Sequence, residues 1–376
     1  MIKKLFAQGG KAVIAEIPDP VLRPGEVLIA PAYSVVSAGT ETNTIQMSAD
    51  PARLHNHDYP APDGHRFGPQ LRSASVKWGG AGPRTAPEEY ALIGYSLAGI
   101  VVDVAPDVTD LKPGDRVAAS GSQCAHHAEL VAIPRSLTTR VPDSASLDAA
   151  AFVTLGTIAM ESIRLTRATF GSTIVMYGLG LLGLLGTQIA SAAGIYTVGL
   201  DLDPRRRDEA RGFGAVATPD PTDEAEVTRV VLGLTDGFGA DGVVLGVVTT
   251  SNGPMNHAFE LCRQKGVVVG LGAFGTTIER DLMVWNDVTL VMQLAYGPGR
   301  YDSVYEEGNV DYPIGYVRWT ENRNSQHFLR LVGEGKVQPL AIEPERFAFA
   351  DAPAAYQRLT QPDRPATLLF EYPARG

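Results

Sequence analysis

From the N-terminus to about residue 45, apolar and polar residues alternate in short runs. Ala12–Ile17 and Glu26–Ala32 stand out, punctuated by Pro18, Pro20, Pro24 and Gly25. Alternation between turn formers predicts strands, and no helical period appears, so a β-rich domain begins here. Further strands are expected at Gly99–Val104, Arg116–Ala119 and Leu130–Ile133, and the pattern turns helical from Ala149 to Arg164. Beyond that point strand and helix patterns alternate. Strands are expected at Thr173–Tyr177, up to Asp201, and at Ala215–Ala217, Asp241–Val248, Gly266–Leu271 and Val288–Ala295. Between them lie an apolar helix running to Ala193 and helices at Pro204–Phe213, Thr222–Leu234 and Pro254–Gln264. This βαβα order predicts a doubly wound parallel sheet. The tail reads as a helix at Ser325–Val332, a helical stretch within Glu345–Leu359 and a last strand at Ala366–Tyr372. The expected class is α/β. A β-rich domain spans 1–150 with an insertion at about 48–90, a parallel-sheet domain spans 151–295, and 296–376 returns to the first domain.

The chemistry concentrates between Gly171 and Asp203. The strand Thr173–Tyr177 runs into Gly178, Gly180 and Gly183 in G-x-G-x-x-G spacing, then helix, strand and acid, the order of a dinucleotide-binding βαβ unit. Gly178 allows the sharp turn, Gly180 leaves bare backbone for a diphosphate, and Gly183 lets the helix approach the sheet. Leu181 and Leu182 open the helix, whose free N–H groups and positive dipole end favour an anion. Asp201 lies 23 residues after Gly178, near the spacing of a carboxylate that binds a ribose 2′-hydroxyl and repels a 2′-phosphate. Arg205, Arg206 and Arg207 follow, either as a solvated helix start or as a 2′-phosphate site. NAD is expected, with NADP left open, and Arg206 is counted among the cofactor-binding residues. The nicotinamide side is expected beyond the strand ends, at Val247, Val248 and Thr249–Asn252, and in 270–275 around Gly272.

Composition narrows the class. The chain has 376 residues, 44% hydrophobic and 20% charged, so two domains of an ordinary globular protein are the natural reading. A net charge of −10 argues against nucleic-acid binding, and no apolar run approaches a membrane span. The N-terminus lacks a signal-peptide pattern, and Cys124 and Cys262 cannot build a disulfide framework or a four-cysteine zinc site. A cytoplasmic setting is expected.

Two stretches break the pattern. Residues 48–90 hold six prolines and His55, His57 and His65, and read as a long loop; His55 and His57 are half a metal site at most. Residues 296–324 are rich in aromatics and arginine, including Tyr296, Arg300, Arg318 and Trp319. Rings that stack on sugar faces and guanidinium groups that take hydroxyls suit a polyhydroxylated or anionic ligand; a rigid structural or subunit-contact loop would use the same residues.

With these landmarks, the chain resembles the medium-chain dehydrogenase/reductase superfamily over essentially its full length. The matching residues are Pro24–Val27, Ala38–Glu41, Gly94–Gly99, Lys112–Val117, His127–Glu129, the Gly178–Gly183 turn and Asp201–Pro204. Ser37–Glu41, Gly94–Ser96, Thr154–Gly156 and Tyr296–Asp302 are most similar to a zinc-lacking branch, the dehydrogenase half of bi-domain oxidoreductases linked to sugar and polysaccharide metabolism. The resemblance implies a GroES-like β-rich catalytic domain plus a Rossmann domain, an active site in the cleft between them, and a homodimer or homotetramer. Where zinc alcohol dehydrogenases carry metal ligands, this sequence has Ala38, Tyr95 with Ser96, and Thr154. Alanine has no donor atom and neutral hydroxyls are poor zinc ligands, so no metal is expected. The family's nicotinamide-side threonine position holds Ile158, beside Thr157, and Thr154 is expected near the cofactor.

The resemblance places Thr40 as the proton-relay hydroxyl, Tyr95 in the cleft as a donor to the substrate oxygen, and Glu41 as an orienting group or base. His126 and His127 are expected to pack near the domain surface, while Lys77 and the insertion histidines stay open as acid–base groups. The expected activity is zinc-independent NAD(P)-dependent hydride transfer at a secondary alcohol or ketone of a sugar, cyclitol or similar metabolite. A transient oxidation that serves elimination or epimerisation fits as well. The alternatives are an NADPH-dependent enone or quinone-type double-bond reductase, and a catalytically silent NAD-binding protein.

Overall fold

The computed structural model describes residues 1–49, 90–293, 295–361 and 363–374, so most of the 48–90 insertion, with Lys77 and its three histidines, lies outside the described residues. The chain forms two compact units: Met1–Thr154, Gly297–Gly333 and Glu343–Gly376 make the first, and Leu155–Tyr296 with Glu334–Ile342 the second.

The first unit opens with β1 (Ile2–Gln8), β2 (Lys11–Ile17) and β3 (Glu26–Val35). β1 and β2 form a hairpin in which Gln8 pairs with Lys11, so Gly9 and Gly10 alone make the turn, both at positive φ. That two-residue geometry matches the strand twist and suits glycine. A helix at Ala38–Met47 follows β3, where no helical period is visible. Only Glu41 and Ile45 are buried on it, one turn apart, so it lacks the apolar stripe that would announce a helix. Next come β4 (Ala91–Leu92), β5 (Ser96–Val104), β6 (Arg116–Ser120), β7 (Val131–Pro134) and β8 (Thr138–Arg140).

The second unit holds β9 (Thr173–Tyr177), β10 (Tyr196–Leu200), β11 (Ala215–Ala217), β12 (Ala240–Leu245), β13 (Cys262–Gly270) and β14 (Thr289–Met292). Every pairing is parallel and the order is β11-β10-β9-β12-β13-β14. The order reverses between β9 and β12, which opens a crevice at their carboxyl ends. Val175, Val198, Val243, Leu245, Phe259 and Val268 fill its core. The helix expected to run to Gln264 ends at Leu261, because Cys262 already pairs with Ala240 in β13.

In the tail the chain returns to the first unit with a helix at Glu321–Gly333, then β15 (Glu345–Ala348), a helix at Ala352–Arg358 and β16 (Leu368–Glu371). The helical stretch expected within 345–359 is the helix Ala352–Arg358, and Glu345–Ala348 before it is a strand that pairs in parallel with β16. The larger sheet runs β15-β16-β3-β5-β6-β8, with β7 also on β3, beside a small sheet β2-β1-β4. Ile29, Leu97, Val117 and Ile133 form one core, and Leu5, Ile45, Phe349 and Phe370 another.

One polar ring is packed into the second unit's core. His257 is 2% exposed, edge-on to Tyr177 at 6.0 Å, and among the described residues neither ring nitrogen has a partner. Burial holds its pKa below the ordinary 6.5, against the pull of Glu224 and Glu260. The folded chain therefore keeps it neutral, while the unfolded chain takes up a proton as pH falls through 6.5. Stability contributed by the neutral ring is present above that pH and is lost below it. Between about pH 7.5 and 5.5, wild type is expected to lose more stability than His257→Phe, by at most about 1.4 kcal/mol per pH unit. Thermal melts of both proteins check this; equal losses would remove the account.

Candidate functional site

In the second unit, β9 ends at Tyr177 and the chain turns at Gly178, whose φ is 104°. The Gly178 N–H donates to Leu200 O at 2.7 Å, tying the turn to β10. Gly180 caps the helix Leu181–Ala192, and among the described residues a Cβ there would meet nothing within 4 Å. A Cβ on Gly183 would sit 2.0 Å from Gly178 O, so only glycine permits this approach of helix to strand. The first helical N–H groups, at Leu181, Leu182 and Gly183, have no acceptor within the helix, and no acidic residue stands in that turn. Open space beside bare backbone and orphan donors is what a dinucleotide diphosphate requires, so the residues fit that group.

Asp201 is held with its carboxylate facing this turn. Its Oδ2 accepts from Leu179 N at 2.8 Å and its Oδ1 from Asp203 N at 2.9 Å. Each following arginine already has a carboxylate: Arg205 pairs with Asp203, Arg206 with Glu209, and Arg207 with Asp220 while also donating to Asp201 O. Val248, 80% exposed, and Gly272 lie just past the ends of β12 and β13, where Val248 bridges to Ala273. Gly178, Gly180, Gly183, Asp201, Val248 and Gly272 thus share the carboxyl end of one sheet. Thr154, expected near the cofactor, belongs to the first unit. It is fully buried there, and its Oγ1 donates to Tyr95 O and shares a 2.8 Å hydrogen bond with Ser120 Oγ.

In the first unit, Tyr95 precedes β5 and its hydroxyl bonds the side chains of Ser37 and Thr40. Burial and then the Glu41 charge push the phenol up to about 12, and the Ser37 and Thr40 hydroxyls pull the other way. The group therefore stays protonated and acts as a donor near neutrality. Glu41 is buried in the first turn of the helix Ala38–Met47. Its Oε1 accepts from Ser37 N at 2.8 Å, and its Oε2 accepts from His127 Nε2 at 3.0 Å and from the Tyr356 hydroxyl. On the far side of the imidazole, Ser34 Oγ lies 2.7 Å from His127 Nδ1 and 2.8 Å from the Tyr372 hydroxyl.

His126 and His127, expected to pack near the domain surface, are both buried. His127 is drawn in by Glu41 and Ser34, and His126 lies 3.1 Å from Lys4 Nζ and 3.0 Å from Ser122 O. Of the expected substrate residues, Arg300 is withdrawn, paired with Glu306, donating to Ser122 Oγ and stacked on Tyr301. Tyr296 is buried in the second unit. Arg318 is exposed and lies over the Trp319 ring at 3.9 Å. Among the described residues, no three His, Cys, Asp or Glu side chains gather where they would hold a metal. Sequence reasoning missed Ser34, Ser37, Tyr356 and Tyr372, because their partners are distant in the chain; only the serine at the helix start gave a local signal.

The chain is similar to known proteins. Residues 71–143 match the family model "Alcohol dehydrogenase GroES-like domain", and residues 182–307 match "Zinc-binding dehydrogenase". An alcohol dehydrogenase of Geobacillus stearothermophilus is 27% identical over 210 residues, covering 48% of this chain and 60% of that protein. A protein named probable D-xylulose reductase A of Emericella nidulans is 28% identical over 185 residues, covering 41% of this chain and 52% of that protein. These alignments span little more than half of each curated relative. The solved alcohol dehydrogenase of Thermus sp. ATN1 shares the fold with a TM-score of 0.72 at 18% identity, covering 99% of this chain and 100% of its own. The chain belongs to the medium-chain dehydrogenase/reductase superfamily, a family of NAD(P)-dependent oxidoreductases.

The two glycines separate binding from folding. Gly180→Val is expected to leave the melting temperature within about 2 °C. It should still weaken NADH at least about tenfold, because its side chain fills the diphosphate space. Gly183→Val is expected to lower the melting temperature itself. Fluorescence titration with NADH beside thermal melts of both variants checks the contrast.

Proposed function

We propose that this protein is a zinc-independent, NAD(H)-dependent oxidoreductase. It transfers a hydride to or from the oxygen-bearing carbon of a secondary alcohol or ketone in a polyhydroxylated, sugar-like small molecule. The observation that carries the reading is the Tyr95 hydroxyl bonded by Ser37 and Thr40, at the positions where the resemblance puts metal chemistry. Ala38 offers no donor atom. Ser96 Oγ is occupied, donating to Ala151 O at 2.6 Å and accepting from Thr154 N at 3.1 Å. Thr154 Oγ1 is occupied too, which leaves Tyr95 as the polar group at those positions whose chemistry suits a substrate oxygen.

Bound dinucleotide supplies the hydride acceptor or donor. The protein's own part is to manage charge and proton at the oxygen. Tyr95 O–H donates a hydrogen bond to the carbonyl oxygen and, as alkoxide character develops, gives up its proton to that stronger base. Ser37 and Thr40 hydrogen-bond the phenol through the transfer, and exposed Thr40 provides the path by which the proton is replaced. Glu41 is not a free base in this scheme, because three donors occupy its oxygens.

NAD is favoured over NADP because the Asp201 carboxylate is bonded to the glycine turn, at the spacing of a ribose-binding acid, and the arginines beside it are tied to carboxylates. A polyhydroxylated substrate is supported by exposed Tyr316 and Arg318, and by the curated relative named as a xylulose reductase. A homodimer or homotetramer is supported by β14, an edge strand, with exposed Val284, Trp285 and Met292 beside it. Among the described residues no helix is long and apolar enough to cross a membrane.

Metal analysis with NADH and NADPH titrations tests the reading first. Sub-stoichiometric zinc is expected, with NADH bound roughly tenfold tighter, about 1.4 kcal/mol, a preference that Asp201→Ala abolishes. In a screen of sugars and cyclitols, Tyr95→Phe is expected to lower kcat by about 10²-fold with little change in KM. Stoichiometric zinc, or full turnover in Tyr95→Phe, would overturn the proposal.

A further inference from the structure

We propose that Tyr356 and His127 are positioning residues for the Tyr95 hydroxyl, acting through Glu41; this rests on the reading of Tyr95 as the proton donor. Glu41 is 2% exposed, and a buried carboxylate is stable only when donors replace its water. Those donors come from three parts of the chain: Ser37 N–H, the His127 ring and the Tyr356 hydroxyl. An apolar side chain at position 41 would pack beside Ile45 without this desolvation cost. What the carboxylate adds is direction. Its Oε1 holds the N–H of Ser37 while the Glu41 N–H donates back to Ser37 O at 2.9 Å, so the turn 37–41 is closed from both sides. Ser37 and Thr40 stand on that turn, and both of their hydroxyls converge on Tyr95. Ser37 makes no side-chain capping bond to the helix, which leaves its hydroxyl to the phenol.

The hydrogen bonds behind Glu41 give the clamp a defined sense. Because Glu41 Oε2 accepts, His127 carries a hydrogen on Nε2. In the neutral ring, Nδ1 then accepts from Ser34 O–H, and Ser34 Oγ accepts from Tyr372 O–H. The ring is further set by Phe370, edge-on at 5.1 Å. Every member has a partner, so Glu41 has a single favoured orientation, and so does the turn it holds.

The test uses the full chain with 3-fluorotyrosine placed at position 95, read by fluorine NMR, in otherwise wild-type, Tyr356→Phe and His127→Gln backgrounds. Tyr196→Phe, on an exposed tyrosine of the second unit, is the control. Both network variants are expected to shift or split the residue-95 resonance while NADH affinity stays unchanged, and the control is expected to do neither. In the substrate assay, Tyr356→Phe should lower kcat about tenfold at constant KM. An unmoved resonance in folded Tyr356→Phe overturns the clamp; if that variant fails to fold, the same result in His127→Gln overturns it. A shifted resonance together with full turnover in Tyr95→Phe would instead keep the clamp and remove Tyr95 as donor.

Discussion

A carboxylate taken out of water has to be met by donors, and in the first unit that requirement at Glu41 gathers the structure around one point. The end of β3, the helix Ala38–Met47, the segment carrying His127 and the C-terminal helix Ala352–Arg358 all send a donor to it or a support for one. Removing a single donor from such a group leaves a buried acceptor unsatisfied, at a cost of about 1–3 kcal/mol. The arrangement therefore behaves as a unit. Its consequence is felt at the surface of the network, where Ser37 and Thr40 meet the Tyr95 phenol.

The second unit uses the same device in a more exposed setting. Asp201 accepts from the backbone of Leu179 and Asp203, which links the glycine turn after β9 to the end of β10. Carboxylates that bind backbone N–H groups hold turns in shape without relying on apolar area, and both candidate sites sit where a turn opens a helix. The proposed preference for NAD rests on that same carboxylate, whose charge would suit a ribose hydroxyl better than a phosphate.

Arginine illustrates how context decides the meaning of a residue type. In sequence, Arg206 and Arg300 look like ligand-binding groups. In the structure, Arg206 pairs with Glu209 one turn along its own helix, and Arg300 forms a buried pair with Glu306. A guanidinium with five donors is as effective at fastening a loop as at holding a substrate. Arg318, stacked on Trp319 and exposed, keeps the second possibility.

By itself, the sequence determined what depends on local periodicity and backbone sterics. It specified the alternating strands and helices of the parallel sheet, the glycine turn at Gly178–Gly183, the acid at Asp201, and the absence of a donor atom at Ala38. These features are legible because strand alternation, glycine freedom and side-chain chemistry act within a few residues. Tertiary structure alone decided that Glu345–Ala348 is a strand, since its partner Leu368–Glu371 lies beyond an intervening helix. It alone decided that the polar stretch Ala38–Met47 is a helix, and that His127 is buried. It alone brought Tyr356 to Glu41 across 315 positions. Hydrogen bonds between distant residues leave no period in the chain, and a buried carboxylate looks the same in sequence as an exposed one.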